Sequence, residues 1–308
     1  MQGPFYRKTV TTFDFENYLK GKQQKVNAAL EQLWKDVVAP PTPLIPAMRY
    51  SLLAGGKRLR PILCIAGCEA VGGSQADVML AACALELVHT YSLIHDDLPT
   101  MDNDDLRRGK PTCHKAFGEA TAVLAGDALL TASFEIIAAA GCNQRGDALK
   151  WLEVIHLIAR AAGYSGMVQG QMMDISSEGK EITLEELDTI HRLKTGALIE
   201  ASVQAGAIIG GGGSEEINAL GVYGRKTGLA FQIIDDLLDV EGKTEILGKP
   251  VGSDRAHEKA TGPSLMGREQ AKARANELID SALQELSLFG AKGEPLAALA
   301  RYIVNRRR

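Results

Sequence analysis

The chain has little of what strands, staples and targeting segments are made from. Strands favour β-branched and aromatic side chains, yet aromatics are only 5% of the 308 residues, which argues against a sheet protein. The five cysteines, Cys64, Cys68, Cys83, Cys113 and Cys142, are odd in number and include no CxxC pair. That excludes a disulfide framework or a thiolate zinc site and predicts buried thiols in a reducing cytosol. The opening segment MQGPFYRKTVTTFDFENYL holds no apolar run of signal-peptide length and carries acids early, so no signal peptide is expected. No stretch approaches the ~20 apolar residues of a membrane span, so the expectation is a cytoplasmic protein with no stable span. Lys and Arg number 34 against 38 Asp and Glu, a formal charge of −4. Such a balance lacks the basic footprint of a nucleic-acid binder. Of the 11 prolines, four crowd into 40–46, leaving long helices free of breakers.

What is abundant points one way. Ala (40) and Leu (36) make up about a quarter of the chain, and both lose little on entering a helix. Periodic apolar residues predict helices over 13–38, from Ile45 to the Gly55-Gly56 break, and over 61–71, 76–97, 118–140, 147–173, 183–209, 214–241 and 265–288, with a last one after Pro295. The clearest is 76–97, where Leu80, Cys83, Ala84, Leu87, Tyr91 and Ile94 recur at the spacing of one helical face, with Ser74 as its N-cap. The Gly210–Gly213 run follows no strand and lacks the Lys-Ser/Thr of a phosphate loop, so it reads as a connection. No linker divides the chain after residue 47, which predicts an all-α fold, a single large helical bundle.

Two acidic clusters are not explained by a core. Residues 95–105 read HDDLPTMDNDD, and 228–242 read GLAFQIIDDLLDVEG. Both end apolar helices, where acids face the negative end of the helix dipole and cost stability unless a cation offsets them. Asp235 and Asp239, four apart, share one helical face and repel. A lone run of this kind is more often a solvated helix end. An EF-hand reading of the run from Asp102 fails, because position 6 is Arg107 and position 12 is Cys113. Carboxylates without His or Cys partners suit a hard cation such as Mg²⁺, which takes one or two of them and completes its shell with water and substrate phosphate. On a straight helix Asp102 would lie ~120° round from Asp96, so a break is needed, and Pro99 supplies one.

Cations surround these clusters. Lys57, Arg58 and Arg60 lie in the loop GGKRLRP, Arg107 and Arg108 follow the first cluster, Lys194-Thr195 interrupt the helix near 183–209, and Lys249 and Lys259 follow the second cluster. Arg grips phosphate oxygens bidentately and Lys acts as a point charge. There is no GxSxG, HExxH or Cys/His nucleophile, and His89 and His95 have no carboxylate orienter in sequence. The chemistry implied is electrophilic: metal and cations drawing on a diphosphate leaving group beside an apolar cavity.

The segments GGKRLRP, ALELVHTYSLIHDDLPTMDNDDLRRGKPTCH, FGEATAVLAGDALL, LKTGALIEAS and GLAFQIIDDLLDV together resemble the trans-isoprenyl diphosphate synthases, most closely their bacterial farnesyl diphosphate branch. The likeness runs in order from about residue 25 to the C-terminus; residues 1–24 carry no signal. The resemblance implies an isoprenoid-synthase bundle around an apolar cavity, a homodimer, and three Mg²⁺ per site, with Mn²⁺ able to substitute. It implies that Asp96, Asp102 and Asp235 bind the metal, supported by Asp97, Asp236 and Asp239. Arg107, Lys194, Thr195, Gln232, Lys249 and Lys259 would contact the allylic diphosphate (dimethylallyl or geranyl). Lys57, Arg60, His89 and Arg108 would hold isopentenyl diphosphate, with Arg58 a supporting charge. Tyr91, five residues before Asp96 and beside the small Ser92, would floor the tail pocket and stop elongation at C15, farnesyl diphosphate; a C20 product is the alternative. A class I terpene cyclase would have no use for GGKRLRP, and an inactive regulatory partner would be expected to lose part of the second aspartate motif, which is intact here.

Overall fold

The computed structural model describes residues 13–35, 40–143, 147–241 and 261–305. In chain order the helices are α1 (Phe15–Gln32), α2 (Leu44–Leu52), α3 (Leu59–Ala70), α4 (Gln75–Asp96), α5 (Cys113–Phe117), α6 (Glu119–Asn143), α7 (Ala148–Ala162), α8 (Met167–Ser177), α9 (Leu184–His191), α10 (Ala197–Gly210), α11 (Ser214–Glu241), α12 (Gly262–Met266), α13 (Arg268–Glu285) and α14 (Glu294–Asn305). Among the described residues the only strands are a two-residue antiparallel pair, β1 (Leu106–Arg107) and β2 (Lys110–Pro111). The expectation of an all-α protein holds.

α3 and α10 form the centre, and each is apolar on opposite faces. Cys64, Ile65 and Cys68 of α3 and Ala201 and Ala205 of α10 join one core with α1, α2, α4, α6 and α7. Ile62, Leu63 and Ala66 of α3 and Ile199, Val203 and Ala207 of α10 join a second with α11, α13 and α14. The two central helices touch backbone to backbone. A Cβ on Gly67 would stand 2.4 Å from the Val203 carbonyl oxygen, and one on Gly206 only 1.9 Å from that of Cys64. Only glycine allows that approach.

Several boundaries differ from the pattern reading for local reasons. The first helix ends at Gln32. The helix expected over 147–173 is two, α7 and α8, because Gly163 caps the first and Gly166 folds back against Ala161, where a Cβ would meet the carbonyl oxygen at 2.1 Å. The interruption at Lys194-Thr195 is a single π turn, Arg192–Gly196, between α9 and α10. Ser74 caps α4 as expected, its Oγ donating to Asp77 at 2.7 Å. All five thiols are free, and four are buried; Cys142, at the end of α6, is exposed. Contrary to the hydropathy reading, α4 and α6 are long and apolar enough to cross a membrane by length and composition. α4 is mostly buried inside the bundle, whereas α6 is only partly so and exposes Val123 and Leu124.

Candidate active site

α4 delivers the first aspartate motif to the end of the bundle. The helix stops at Asp96 because Pro99 has no N–H to continue it and disfavours helical geometry in the residue before it. The chain then turns back: Met101 and Asn103 donate backbone N–H groups to the Leu98 carbonyl at 2.9 and 3.1 Å, and Asp102 donates to that of Asp96 at 2.9 Å. This turn is the break the spacing required, and it returns Asp102 to the helix end.

The two acids of the pair Asp96-Asp97 part company. Asp96 lines a cavity of about 470 Å³ together with Asp235, Lys194, Thr195 and Gln232. Asp97 is buried and turned to Arg107, whose Nε donates to its Oδ1 at 2.9 Å and whose Nη2 contacts the same oxygen. Arg107 Nη2 also reaches Asp104 Oδ2 at 3.1 Å. Arg107, expected at the allylic diphosphate, is therefore held by two carboxylates outside that cavity. Burial pushes the Asp96 carboxyl up to about 6, opposed by Lys194 and helped by Asp102. Asp97 is pushed up to about 6, again by burial, with Arg107 opposing.

α11 presents the second motif. Asp235 lines the cavity, while Asp236 and Asp239 are buried. Asp236 accepts from the Gly262 N–H at 2.9 Å and from Gln232 Nε2 at 3.2 Å, and Gln232 Oε1 accepts from the Thr195 hydroxyl at 2.8 Å. His191 Nε2 lies 3.5 Å from Asp236. A chain of hydrogen bonds thus joins the π turn to the second motif. Lys194, in that turn, donates to Asp174 of α8 at 2.6 Å.

The basic residues form a second pocket of about 360 Å³ lined by Lys57, Arg58, Arg60, His89 and Arg108. It adjoins the larger cavity, and Arg60, His89 and Phe231 line both. Arg108, left-handed at φ 55°, contacts the Gly55 carbonyl through Nη1, and its guanidinium lies where a side chain on Gly56 would be. Burial, reinforced by Arg60 and Arg108, pushes the His89 pKa well down, so the ring is neutral. The larger cavity is also walled by Tyr91, Ser92, Met101, Met167, Met172 and Ile175. The Tyr91 ring packs edge-on against His95, centroids 5.7 Å apart.

The donor set suits a hard cation that is completed by its substrate. The acids facing the cavity offer oxygen only, and among the described residues no three ligating side chains converge on one point. Mg²⁺ needs no such cage, since it keeps waters and takes phosphate oxygens. Asp96 and Asp235, which both line the cavity, are the acids that would hold it. Lys249 and Lys259, also assigned from the sequence, lie outside the described residues.

Sequence reasoning missed residues on α8. Gln171 lines the cavity with both amide atoms buried and without a hydrogen-bond partner among the described residues, and Asp174 holds Lys194. The available signal was GQMMD, two polar side chains three apart on an otherwise apolar turn, next to Gly170, which packs on the Lys194 backbone. Phe231, at the wall between the pockets, was missed as well.

A helical bundle with two aspartate-bearing helix ends and a basic pocket on a shared apolar cavity is built for prenyl-chain transfer. The chain is a prenyltransferase that belongs to the polyprenyl synthetase family, whose pattern it matches over residues 42–288. It is 49% identical over 300 residues to the heterodimeric geranylgeranyl pyrophosphate synthase large subunit 1 of Arabidopsis thaliana, covering 96% of this chain and 80% of that one. Others at 48% identity are likewise named geranylgeranyl pyrophosphate synthases. Among solved structures, an FPP/GFPP synthase from Zymomonas mobilis superposes with a TM-score of 0.83 at 39% identity, covering 94% of this chain and 98% of that one. A geranyltransferase from Helicobacter pylori, complexed with magnesium and isoprenyl diphosphate, gives 0.82 at 33% identity, with 96% and 97% covered.

Proposed function

We propose that the protein adds isopentenyl diphosphate to dimethylallyl, geranyl and longer allylic diphosphates, with geranylgeranyl diphosphate (C20) as its main product. The observation that carries this reading is the pair of adjoining pockets: one cationic, one largely apolar and lined by Asp96 and Asp235, sharing Arg60, His89 and Phe231. The C20 product is supported by the relatives' names and by the flexible methionines walling the cavity.

In this reading Lys194, Thr195 and Gln232 grip the allylic diphosphate, with Arg107, Lys249 and Lys259 in support, while Lys57, Arg60, His89 and Arg108 hold the isopentenyl diphosphate. Asp96, Asp102 and Asp235 would hold three magnesium ions, or manganese in their place, with Asp97, Asp236 and Asp239 assisting. Bound magnesium supplies charge neutralisation of the leaving diphosphate. The allylic C–O bond breaks with its electron pair leaving on the diphosphate. The isopentenyl double bond attacks the allylic carbon, and the proton then lost passes to the released diphosphate. Neutral His89 donates a hydrogen bond without competing for that proton. The chain is also proposed to work as a homodimer, with Val123 and Leu124 of α6 in the contact.

A second reading, arrest at C15, is favoured by Tyr91, whose ring lines the cavity. Chromatography of products from isopentenyl and dimethylallyl diphosphates decides between the two. No condensation product in the presence of Mg²⁺ would overturn both.

A further inference from the structure

The basic pocket is also lined by a carboxylate that the reaction as described does not use. Glu86, on α4 one turn before His89, is 1% exposed, and its Oε1 accepts from Arg58 Nη1 at 2.6 Å. Arg58 is itself 3% exposed. It stands in the left-handed region at φ 54° immediately before α3, a conformation that costs energy for a residue with a Cβ. Its other donors are satisfied as well: Nη2 by the Leu52 carbonyl at 2.8 Å and Nε by Asn27 Oδ1 at 2.9 Å. One guanidinium thus ties the GGKRLRP loop to α1, α2 and α4. The second carboxylate oxygen, Glu86 Oε2, is buried, and neither it nor the buried Arg60 Nε has a hydrogen-bond partner among the described residues.

The charge count gives the arrangement its meaning. Among the described residues Lys57, Arg58, Arg60 and Arg108 line the pocket with Glu86 as the one carboxylate, leaving an excess of three positive charges, the complement of a fully ionised diphosphate monoester. Burial lowers the pKa of both Arg60 and Arg108 and their fellow cations add to that, while the Glu86 charge opposes it and favours the protonated form. We propose that Glu86 is a positioning residue for the isopentenyl diphosphate subsite: through Arg58 it fixes the loop that carries Lys57 and the start of α3 that carries Arg60, and its carboxylate holds the cationic cluster together before the substrate arrives. The proposal rests on the assignment of this pocket to isopentenyl diphosphate.

The test is steady-state kinetics of the full chain with saturating Mg²⁺, varying each substrate in turn, on wild type, Glu86→Gln and Lys57→Ala. Glu86→Gln keeps the shape and removes the charge. It is expected to raise the KM for isopentenyl diphosphate about tenfold, because a buried charge loses its partner. The KM for the allylic substrate should stay within about twofold, since the substitution touches only the basic pocket. Lys57→Ala should show the same split without lowering the melting temperature. If Lys57→Ala raises the isopentenyl diphosphate KM and Glu86→Gln only lowers the melting temperature, Glu86 is structural and the proposal falls. If Lys57→Ala leaves that KM unchanged, the subsite assignment itself is wrong. Should Glu86→Gln fail to fold, Asn27→Ala carries the test by removing Arg58's more accessible partner. A rise of about threefold in the same KM supports the proposal, and an unchanged KM overturns it.

Discussion

Lys194 Nζ and Asp174 Oδ2 lie 2.6 Å apart, joining the π turn to α8 beside the larger cavity, which Lys194 lines. The ion pair is partly buried, so it is screened less than a surface pair. It fixes a flexible ammonium where the Asp96 carboxylate also feels it. Asp174→Asn keeps the shape and releases the charge. A hydrogen bond between charged groups is worth about 1.5–3 kcal/mol, so kcat/KM for the allylic substrate should fall at least about tenfold. The KM for isopentenyl diphosphate should hold. Equal losses for both substrates would show a general loss of structure instead.

Asp96→Ala and Asp235→Ala should each abolish turnover while the fold survives. Both acids sit at the cavity, and burial already disfavours the charge on Asp96. Removing either should leave the melting temperature of the metal-free protein unchanged or slightly higher. Scanning calorimetry without Mg²⁺, paired with product assays, checks both halves. A variant that turns over at near-normal rates would remove these residues from the metal site.

His89 makes stability depend on pH. Its pKa is pushed well below 6.5 by burial and by Arg60, Arg108, Arg107 and Arg58. The folded state keeps the ring neutral where the unfolded chain would protonate it. The stability this contributes is complete above pH 6.5 and is lost as pH falls below it, at up to about 1.4 kcal/mol per pH unit. Denaturant melts at pH 8, 7, 6 and 5 should therefore show His89→Gln gaining on wild type only below about pH 6.5. A constant offset between the two would show that the ring does not titrate as described.

Tyr91 bounds the cavity through a ring that leans on His95. Tyr91→Ala should lengthen the main product by at least one five-carbon unit relative to wild type, with shorter intermediates still formed. Reversed-phase chromatography of the dephosphorylated products reads the shift directly. An unchanged product would place the floor of the pocket elsewhere.

Gly206→Ala tests the central packing. Its Cβ would fall 1.9 Å from the Cys64 carbonyl oxygen, which forces α3 and α10 apart. Overpacking of this kind costs about 1–3 kcal/mol or more, several degrees in melting temperature. Gly213→Ala, where a Cβ meets only Glu216 at 3.7 Å, should change stability by less than about 0.5 kcal/mol.

Much of this protein is set by short-range pattern. Helix against strand, the capped start of α4 at Ser74 and the break at Pro99 all follow from residues within a turn or two of each other. The same holds for two aspartate motifs at apolar helix ends, because helical hydrogen bonds and periodicity are local. The pooling of Lys57, Arg60, His89 and Arg108 in one pocket was legible only through resemblance. Which way neighbouring side chains face was not legible at all. Asp96 meets the cavity while Asp97 meets Arg107, since one residue turns the helix by 100° and the β-hairpin supplies the partner on that side. The parting of α7 from α8 rests on two glycines, either of which a helix tolerates alone. Gln171 and Asp174 gain their meaning from the π turn that α8 packs against, and Glu86 from an arginine 28 residues earlier. Those contacts join distant segments, and a buried charge can take any partner that packing brings to it; sequence spacing carries no record of which one arrives.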